Sequence, residues 1–298
     1  MNARRRLLPL ILAGSALLAQ APPPPPTPPA PPAPSFGVDV PTGSRVETRT
    51  EPLAYGAKLW VKNRNGAIHV TGWDREQVQL TAQIRDSGRR RVQLVVQRKG
   101  PDLDIEAVFQ RPSWIFGFYV SPRCEMTLQV PRKVLAYFRT TNGGVSAENL
   151  DGYARCETTN GGIVVRNVKG EVQADTTNGT IDASQLFARI KGGTTNGRIL
   201  LDDVAGGIHM ETTNGSIHAQ NLDGWGEGIR LETTNGSIDV DLGKAAGEIL
   251  AENSNGSLDI NVPGAQSIEV SKHSAHLKVP GRDQQIHLET TNGSIHVH

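Results

Sequence analysis

A tetrapeptide, Thr-Thr-Asn-Gly, returns along this chain at a fixed interval, and that interval limits the fold more than any other feature. The motif's asparagine falls at Asn142, Asn160, Asn178, Asn196 and Asn214, 18 residues apart each time. The spacing then loosens: Asn235 follows after 21 residues, Asn255 after 20 and Asn292 after 37. The longest interval reads as hiding a worn copy, because residues 268–279 overlay 208–219 with Ser274 at the asparagine position. A short fixed period implies one small unit stacked many times, so that equivalent side chains form columns.

Residues 208–222 serve as the type unit. Apolar side chains alternate at Ile208 and Met210 and again at Ile217 and Ala219, with Leu222 beyond. A period of two marks two short, half-buried strands. Thr213-Asn214-Gly215-Ser216 turns the chain between them, where Asn and Gly both tolerate a left-handed backbone. A second turn near Asp223-Gly224 closes the unit and takes up the extra residues of the longer copies.

Two architectures fit. In a meander each Asn-Gly is a hairpin turn between antiparallel strands. In a β-solenoid each unit is one coil, and equivalent strands pair in parallel about 4.8 Å apart. Column identity decides for the solenoid. The position three after each Asn reads Val145, Ile163, Ile181, Ile199, Ile217 and Ile238, then Leu258, Leu277 and Ile295. A meander gives no reason for one residue type at every turn, whereas stacked Asn amides hydrogen-bond along a ladder. The expected fold is therefore all-β, a parallel β-solenoid of about nine coils of 18–21 residues. Right-handed winding follows from the bias of parallel crossovers.

The chain's beginning reads as an export signal over residues 1–21: Arg4, Arg5 and Arg6, an apolar run from Leu7 to Leu18, and the small-residue site Ala19-Gln20-Ala21. A Pro- and Ala-rich linker over 22–35 tends to an extended polyproline conformation. Residues 36–139 are β-rich without the period, with alternation at 78–84, 92–96, 103–108 and 126–130. They read as an N-terminal cap continuous with the solenoid region, 140–298, and their Asn65-Gly66 resembles the turn of a first coil. A mature chain without a membrane span is expected.

Opposite charges nearly balance, 31 Lys plus Arg against 30 Asp plus Glu, which argues against a nucleic-acid partner. Cys156 falls in the column of Met210 and Leu231, so a buried free thiol is expected, with a Cys124–Cys156 bridge as the alternative in an oxidising compartment. No catalytic motif stands in the sequence, and no cofactor is expected.

The stretch Leu59-Trp-Val-Lys-Asn-Arg-Asn-Gly-Ala-Ile-His-Val-Thr-Gly-Trp-Asp74, then Met126-Thr-Leu-Gln-Val-Pro131, then repeated Thr-Thr-Asn-Gly-Ser-Ile, resembles a bacterial β-strand-repeat family labelled "putative adhesin". The resemblance runs from about residue 45 to the end. It implies a β-helix-like fold on exported or envelope-associated proteins and brings no catalytic residues. The partner it implies is an envelope or surface protein or a glycan, and a periplasmic scaffold or envelope-stress signalling partner is the alternative role.

Four features are candidate sites. The outward columns pair a mostly basic position (Arg155, Lys191, His209, Arg230) with a mostly acidic one (Glu157, Asp175, Glu211, Glu232, Glu252). They form a polar face that is either ligand-binding or simply solvated. Only one Thr of each pair, the Thr213 column, faces outward beside these acids, so the paired Thr ranks of an ice-binding face are missing. The aromatic run Trp114, Ile115, Phe116, Phe118 and Tyr119 is the first-ranked partner contact. His218, Asp239 and Asp259 share one outward column and are the oxygen- and nitrogen-bearing set closest to a cation site, although no metal is expected. Ser294, Ile295, His296, Val297 and His298 follow the last turn directly. They read as a bare parallel edge open to a second copy or another partner.

Overall fold

The computed structural model describes residues 43–86, 91–110 and 121–298. The leader and linker assignments of residues 1–35 lie outside them. Every element among the described residues is a β-strand. Strands one repeat apart pair in parallel and in register, as the columns require. One ladder joins the strands ending at the repeat's Asn, with Asn178 opposite Asn196, Asn196 opposite Asn214 and Asn214 opposite Asn235. A second ladder joins the strands beginning three residues later, with Ile163, Ile181, Ile199, Ile217 and Ile238 in one row.

Alternation turns one side of every strand inward. The Ile row is 0% exposed, and Ala154, Val172 and Ile190 form another fully buried row in the facing sheet. Both cysteines are buried and free, so the bridge is not formed. Burial pushes both thiols up to about 12.

The inner Thr of each motif closes the first corner. Thr194 Oγ1 donates to the Gly179 carbonyl at 3.0 Å and Thr212 Oγ1 to Gly197 at 3.1 Å. Asn side chains outside it form a continuous ladder. Asn160 donates to Asn142, Asn178 to Asn160, Asn196 to Asn178, Asn214 to Asn196 and Asn235 to Asn214, each at 2.9 Å.

The motif's Gly has a different cause from the one its turn suggests. A Cβ on Gly215 would lie 1.8 Å from the Gly197 carbonyl oxygen, so the rungs stack this closely only without a side chain. Left-handed non-Gly residues gather instead at the second corner, at Asn149, Asn167, Gln185, Asp203 and Asn221, with φ from 50° to 59°.

Chain order and stacking order part company near the C-terminus. Ile229–Asn235 pairs with Gln285–Asn292, and Gly247–Asn255 pairs on the far side of that strand. The Asn ladder follows the same path: Asn292 donates to Asn235 at 2.8 Å and Asn255 to Asn292 at 3.1 Å. Residues 268–279 are not a worn coil. They form an antiparallel hairpin, Gln266–Val270 with Ser274–Val279, whose second strand lies antiparallel on Gly247–Asn255 and places Leu277 opposite Ile249. Ala275 stands where every coil has its ladder Gly, and its Cβ would meet the neighbouring carbonyl as Gly215's would; the segment therefore folds back.

At the other end, Lys58–Lys62 and Ile68–Trp73 lie in register on Leu135–Arg139 and Val145–Glu148. Antiparallel layers cover them: Val92–Lys99 beyond Asp102–Phe109, and Gln77–Arg85 then Ser44–Pro52 beyond Arg123–Pro131. Such layers cover strand edges that would otherwise pair with another chain.

Candidate functional site

The outward side of the Asn-ending sheet carries two parallel columns. Register places Arg155, Gln173, Lys191, His209, Arg230 and His287 in one. Glu157, Asp175, Gly193, Glu211, Glu232, Glu289 and Glu252 follow in the other. Carboxylates stacked a rung apart repel, and each needs a local counter-charge. Partners two residues back on the same strand supply a charge or a hydrogen-bond donor. Arg155 contacts Glu157, Gln173 donates to Asp175 at 2.9 Å, Arg230 contacts Glu232, and His287 Nε2 lies 3.3 Å from Glu289.

The pattern fails at the outermost rung, where Leu250 offers Glu252 no partner, and at two adjacent rungs within the stack. Lys191 turns away to Glu171 at 2.9 Å, and that hydrogen bond raises the lysine pKa. Gly193 has no side chain to offer. Among the described residues, Glu211 makes no ion pair and no side-chain hydrogen bond. A shallow groove of about 430 Å³ opens here, lined by Asp175, Gly193, Thr195, Glu211, Thr213 and Glu232. A Cβ on Gly193 would lie 2.3 Å from the Glu211 carbonyl oxygen and 2.8 Å from its Cγ, so the notch requires glycine. Thr195 and Thr213 are exposed along its length, while Thr194 and Thr212 are buried in the corner.

Stacking order rearranges several expected sites. His287 and Glu289 come between Arg230/Glu232 and Leu250/Glu252, whereas Glu269 has left the column with the hairpin. Glu232, His287 and Glu289 now bring one ligand atom each within 4.8 Å of one another. Coil-by-coil counting missed this trio because 57 residues separate its rungs. The Arg230 guanidinium already contacts Glu232 and offsets charge there.

His218, Asp239 and Asp259 do not form three consecutive rungs. His296 lies between the two aspartates, and each carboxylate faces an imidazole. His218 Nδ1 is 3.2 Å from Asp239, His298 Nδ1 is 3.8 Å from Asp239, and His296 Nδ1 is 3.7 Å from Asp259.

Ser294, Ile295, His296, Val297 and His298 are not a bare edge. Ile295–Val297 pairs with Ile238–Val240 on one side and Leu258–Ile260 on the other, and Ile295 is fully buried. Among the described residues the open edge in that ladder is Leu258–Ile260. Trp114, Ile115, Phe116, Phe118 and Tyr119 lie outside the described residues.

Two aromatic groups emerge that the repeat pattern did not single out. Trp60 and Tyr137 continue the Arg155 column toward the N-terminus and stack with centroids 5.5 Å apart, with Tyr153 against Tyr137 at 5.4 Å. Phe187 and Trp225 form an exposed pair at 5.5 Å across the second corner. Trp225 belongs to the extra residues of the 21-residue spacing, which is the signal that could have marked it.

The model of the Toastrack DUF4097 family matches residues 57–298. No curated protein matches the chain. Among solved structures, a putative cell adhesion protein from Clostridium sporogenes is 12% identical over 85% of this chain and 99% of its own, with a TM-score of 0.23. A putative lipid binding protein from Parabacteroides distasonis is 15% identical over 84% and 96%, with a TM-score of 0.48. A putative adhesin from Bacteroides fragilis is 14% identical over 85% and 97%, with a TM-score of 0.45.

Proposed function

The chain belongs to the Toastrack DUF4097 family, and from that premise we propose that it is an exported, non-catalytic binding protein of the cell envelope. In this reading a right-handed solenoid of about nine coils presents the groove at Gly193 to an extended polymer, a glycan or a protein strand.

One observation carries the reading: the strip of partnered carboxylates opens beside the groove, where Lys191, Gly193 and Glu211 leave the pattern. Glu211 there keeps its acceptor capacity for a ligand, and exposed Thr hydroxyls repeat beside it a rung apart. A polymer with hydroxyl or amino groups at regular spacing meets such a surface several times, and linked contacts multiply. No helix of the described residues is long and apolar enough to cross a membrane.

Binding of the purified chain to an array of envelope polysaccharides tests the proposal. Glu211→Gln and Thr213→Val should each weaken the captured glycan about tenfold, the loss expected for a charge-assisted hydrogen bond. Binding unchanged by both substitutions would exclude the groove. Labelling of intact cells then separates a surface adhesin from a periplasmic scaffold, because only the first is reached from outside. The aromatic segment around Trp114 is kept as a second contact on its sequence alone, and photocrosslinking from Trp114 and from Thr213 compares the two.

A further inference from the structure

The sequence contains nine Asn-Gly pairs: Asn65-Gly66 and the eight of the ladder. Asn-Gly is the dipeptide most open to intramolecular deamidation, because glycine's backbone nitrogen attacks the Asn side chain with no Cβ in the way. The reaction needs two things that stacking removes. The glycine N–H must be free to lose its proton, and the backbone must swing until that nitrogen reaches the Asn Cγ.

At six of the nine pairs the glycine N–H is held by the next rung. Gly66 donates to the Asn142 carbonyl at 2.7 Å, Gly143 to Asn160 at 2.9 Å and Gly161 to Asn178 at 3.1 Å. Gly215 donates to Asn235 at 3.1 Å, Gly236 to Asn292 at 3.0 Å and Gly293 to Asn255 at 2.9 Å. All of these bonds point toward the same end.

At that end lies Asn255-Gly256. Among the described residues no rung lies beyond it to receive the Gly256 N–H. Leu258–Ile260 pairs with one neighbour only, Ile295–Val297. The hairpin strand covering Gly247–Asn255 reaches Glu252 in register, and its turn reaches Asn253 through the His273 carbonyl. Asn255 is exposed, and its side chain is held by one bond, from Nδ2 to Asn292. The opposite end is protected: Asn65 Nδ2 donates to the Pro122 carbonyl at 2.6 Å, and antiparallel layers lie outside it.

We propose that Asn255 is a self-modification site, deamidating through a succinimide while the six Asn-Gly pairs whose glycine N–H is held by the next rung stay locked in the stack. The Gly256 nitrogen forms a bond to Asn255 Cγ, the Cγ–Nδ2 bond breaks, and ammonia leaves carrying the backbone proton. Water then opens the ring at either carbonyl, leaving aspartate or isoaspartate and so a new carboxylate. The product has lost the Nδ2 donor to Asn292, and isoaspartate lengthens the backbone by one carbon. Gly293 is thereby released from the Asn255 carbonyl, so the reaction proceeds inward to Asn292 and then Asn235, in stacking order.

Peptide mass spectrometry of the purified chain, held in warm, mildly alkaline buffer, measures each pair separately. A sample in denaturant shows the intrinsic reactivity of all nine. In the folded chain Asn255 should deamidate at least about tenfold faster than Asn65, Asn160 or Asn214, a factor equivalent to ~1.4 kcal/mol of easier local opening. Asn292 should come second. Asn292 ahead of Asn255, interior pairs reacting as fast as Asn255, or an Asn255 as inert as the interior while the denatured sample reacts throughout, would each overturn the assignment.

Discussion

Alanine substitutions along the Asn ladder turn the stacking order into measurable stability differences. Asn196 makes two side-chain bonds, donating to Asn178 and accepting from Asn214, both at 2.9 Å. Asn255 makes only its 3.1 Å bond to Asn292, and Asn142 only accepts from Asn160. A net hydrogen bond contributes ~1 kcal/mol, and the exposed setting keeps each near that value. Asn196→Ala should then cost ~2 kcal/mol, and Asn255→Ala or Asn142→Ala ~1 kcal/mol. The informative variant is Asn292→Ala. Asn292 is the last ladder residue in the sequence but the penultimate one in space, donating to Asn235 at 2.8 Å while accepting from Asn255. It should cost as much as Asn196→Ala. With a urea slope of ~3 kcal/mol per molar, fitting a large domain, the extra bond moves the unfolding midpoint by ~0.3 M. Strand-end propensity changes are common to the four variants and cancel in the comparison. If Asn292→Ala cost no more than Asn255→Ala, the threading of the last coil would be wrong. Equal costs for all four would mean that the ladder adds nothing beyond backbone pairing.

Cys124 and Cys156 should resist maleimide in the folded chain and react only on unfolding, since the thiolate is the reactive form and burial raises both pKa values to about 12. Stability from the protonated thiols is complete below the ordinary value of 9.0 and is lost as pH rises toward about 12. A Cys124→Ala/Cys156→Ala variant should therefore lose less of its urea midpoint between pH 8 and pH 10 than the parent. Gly215→Ala should destabilise the fold by ~3 kcal/mol or more, because its Cβ meets the Gly197 carbonyl at 1.8 Å. Gly226→Ala has open space around it and a φ of 76°, so thermal unfolding should show only the left-handed penalty of ~1 kcal/mol.

The architecture was legible because its causes repeat. A buried Ile row, a corner Thr and a stacked Asn each recur at one interval, and only parallel rungs place identical residues beside one another. The N-terminal coil was legible for the same reason, since Asn65-Gly66 enters the row as a bridge to Asn142. What failed was the assumption that rungs stack in chain order. Pairing between rungs is nearly the same for any two copies with the same columns, so the sequence holds little that sets their order. Residues 286–297 match 229–240 column for column, and the parallel ladder accepts them as its next rung. The copy at 247–260 is displaced outward. The one local signal was Ala275, a Cβ where stacking allows none, and it marks where the chain leaves the rod to form the closing hairpin. Every misplaced site follows from that single reordering: the bare edge expected at Ile295, the aspartate row at Asp239 and Asp259, and the overlooked trio of Glu232, His287 and Glu289. The groove needed spatial information of another kind. Gly193 reads in the sequence as one more glycine of a glycine-rich chain. It becomes a notch only once Lys191 is seen to pair with Glu171 on the preceding rung, while Glu211 on the following one stands without an ion pair.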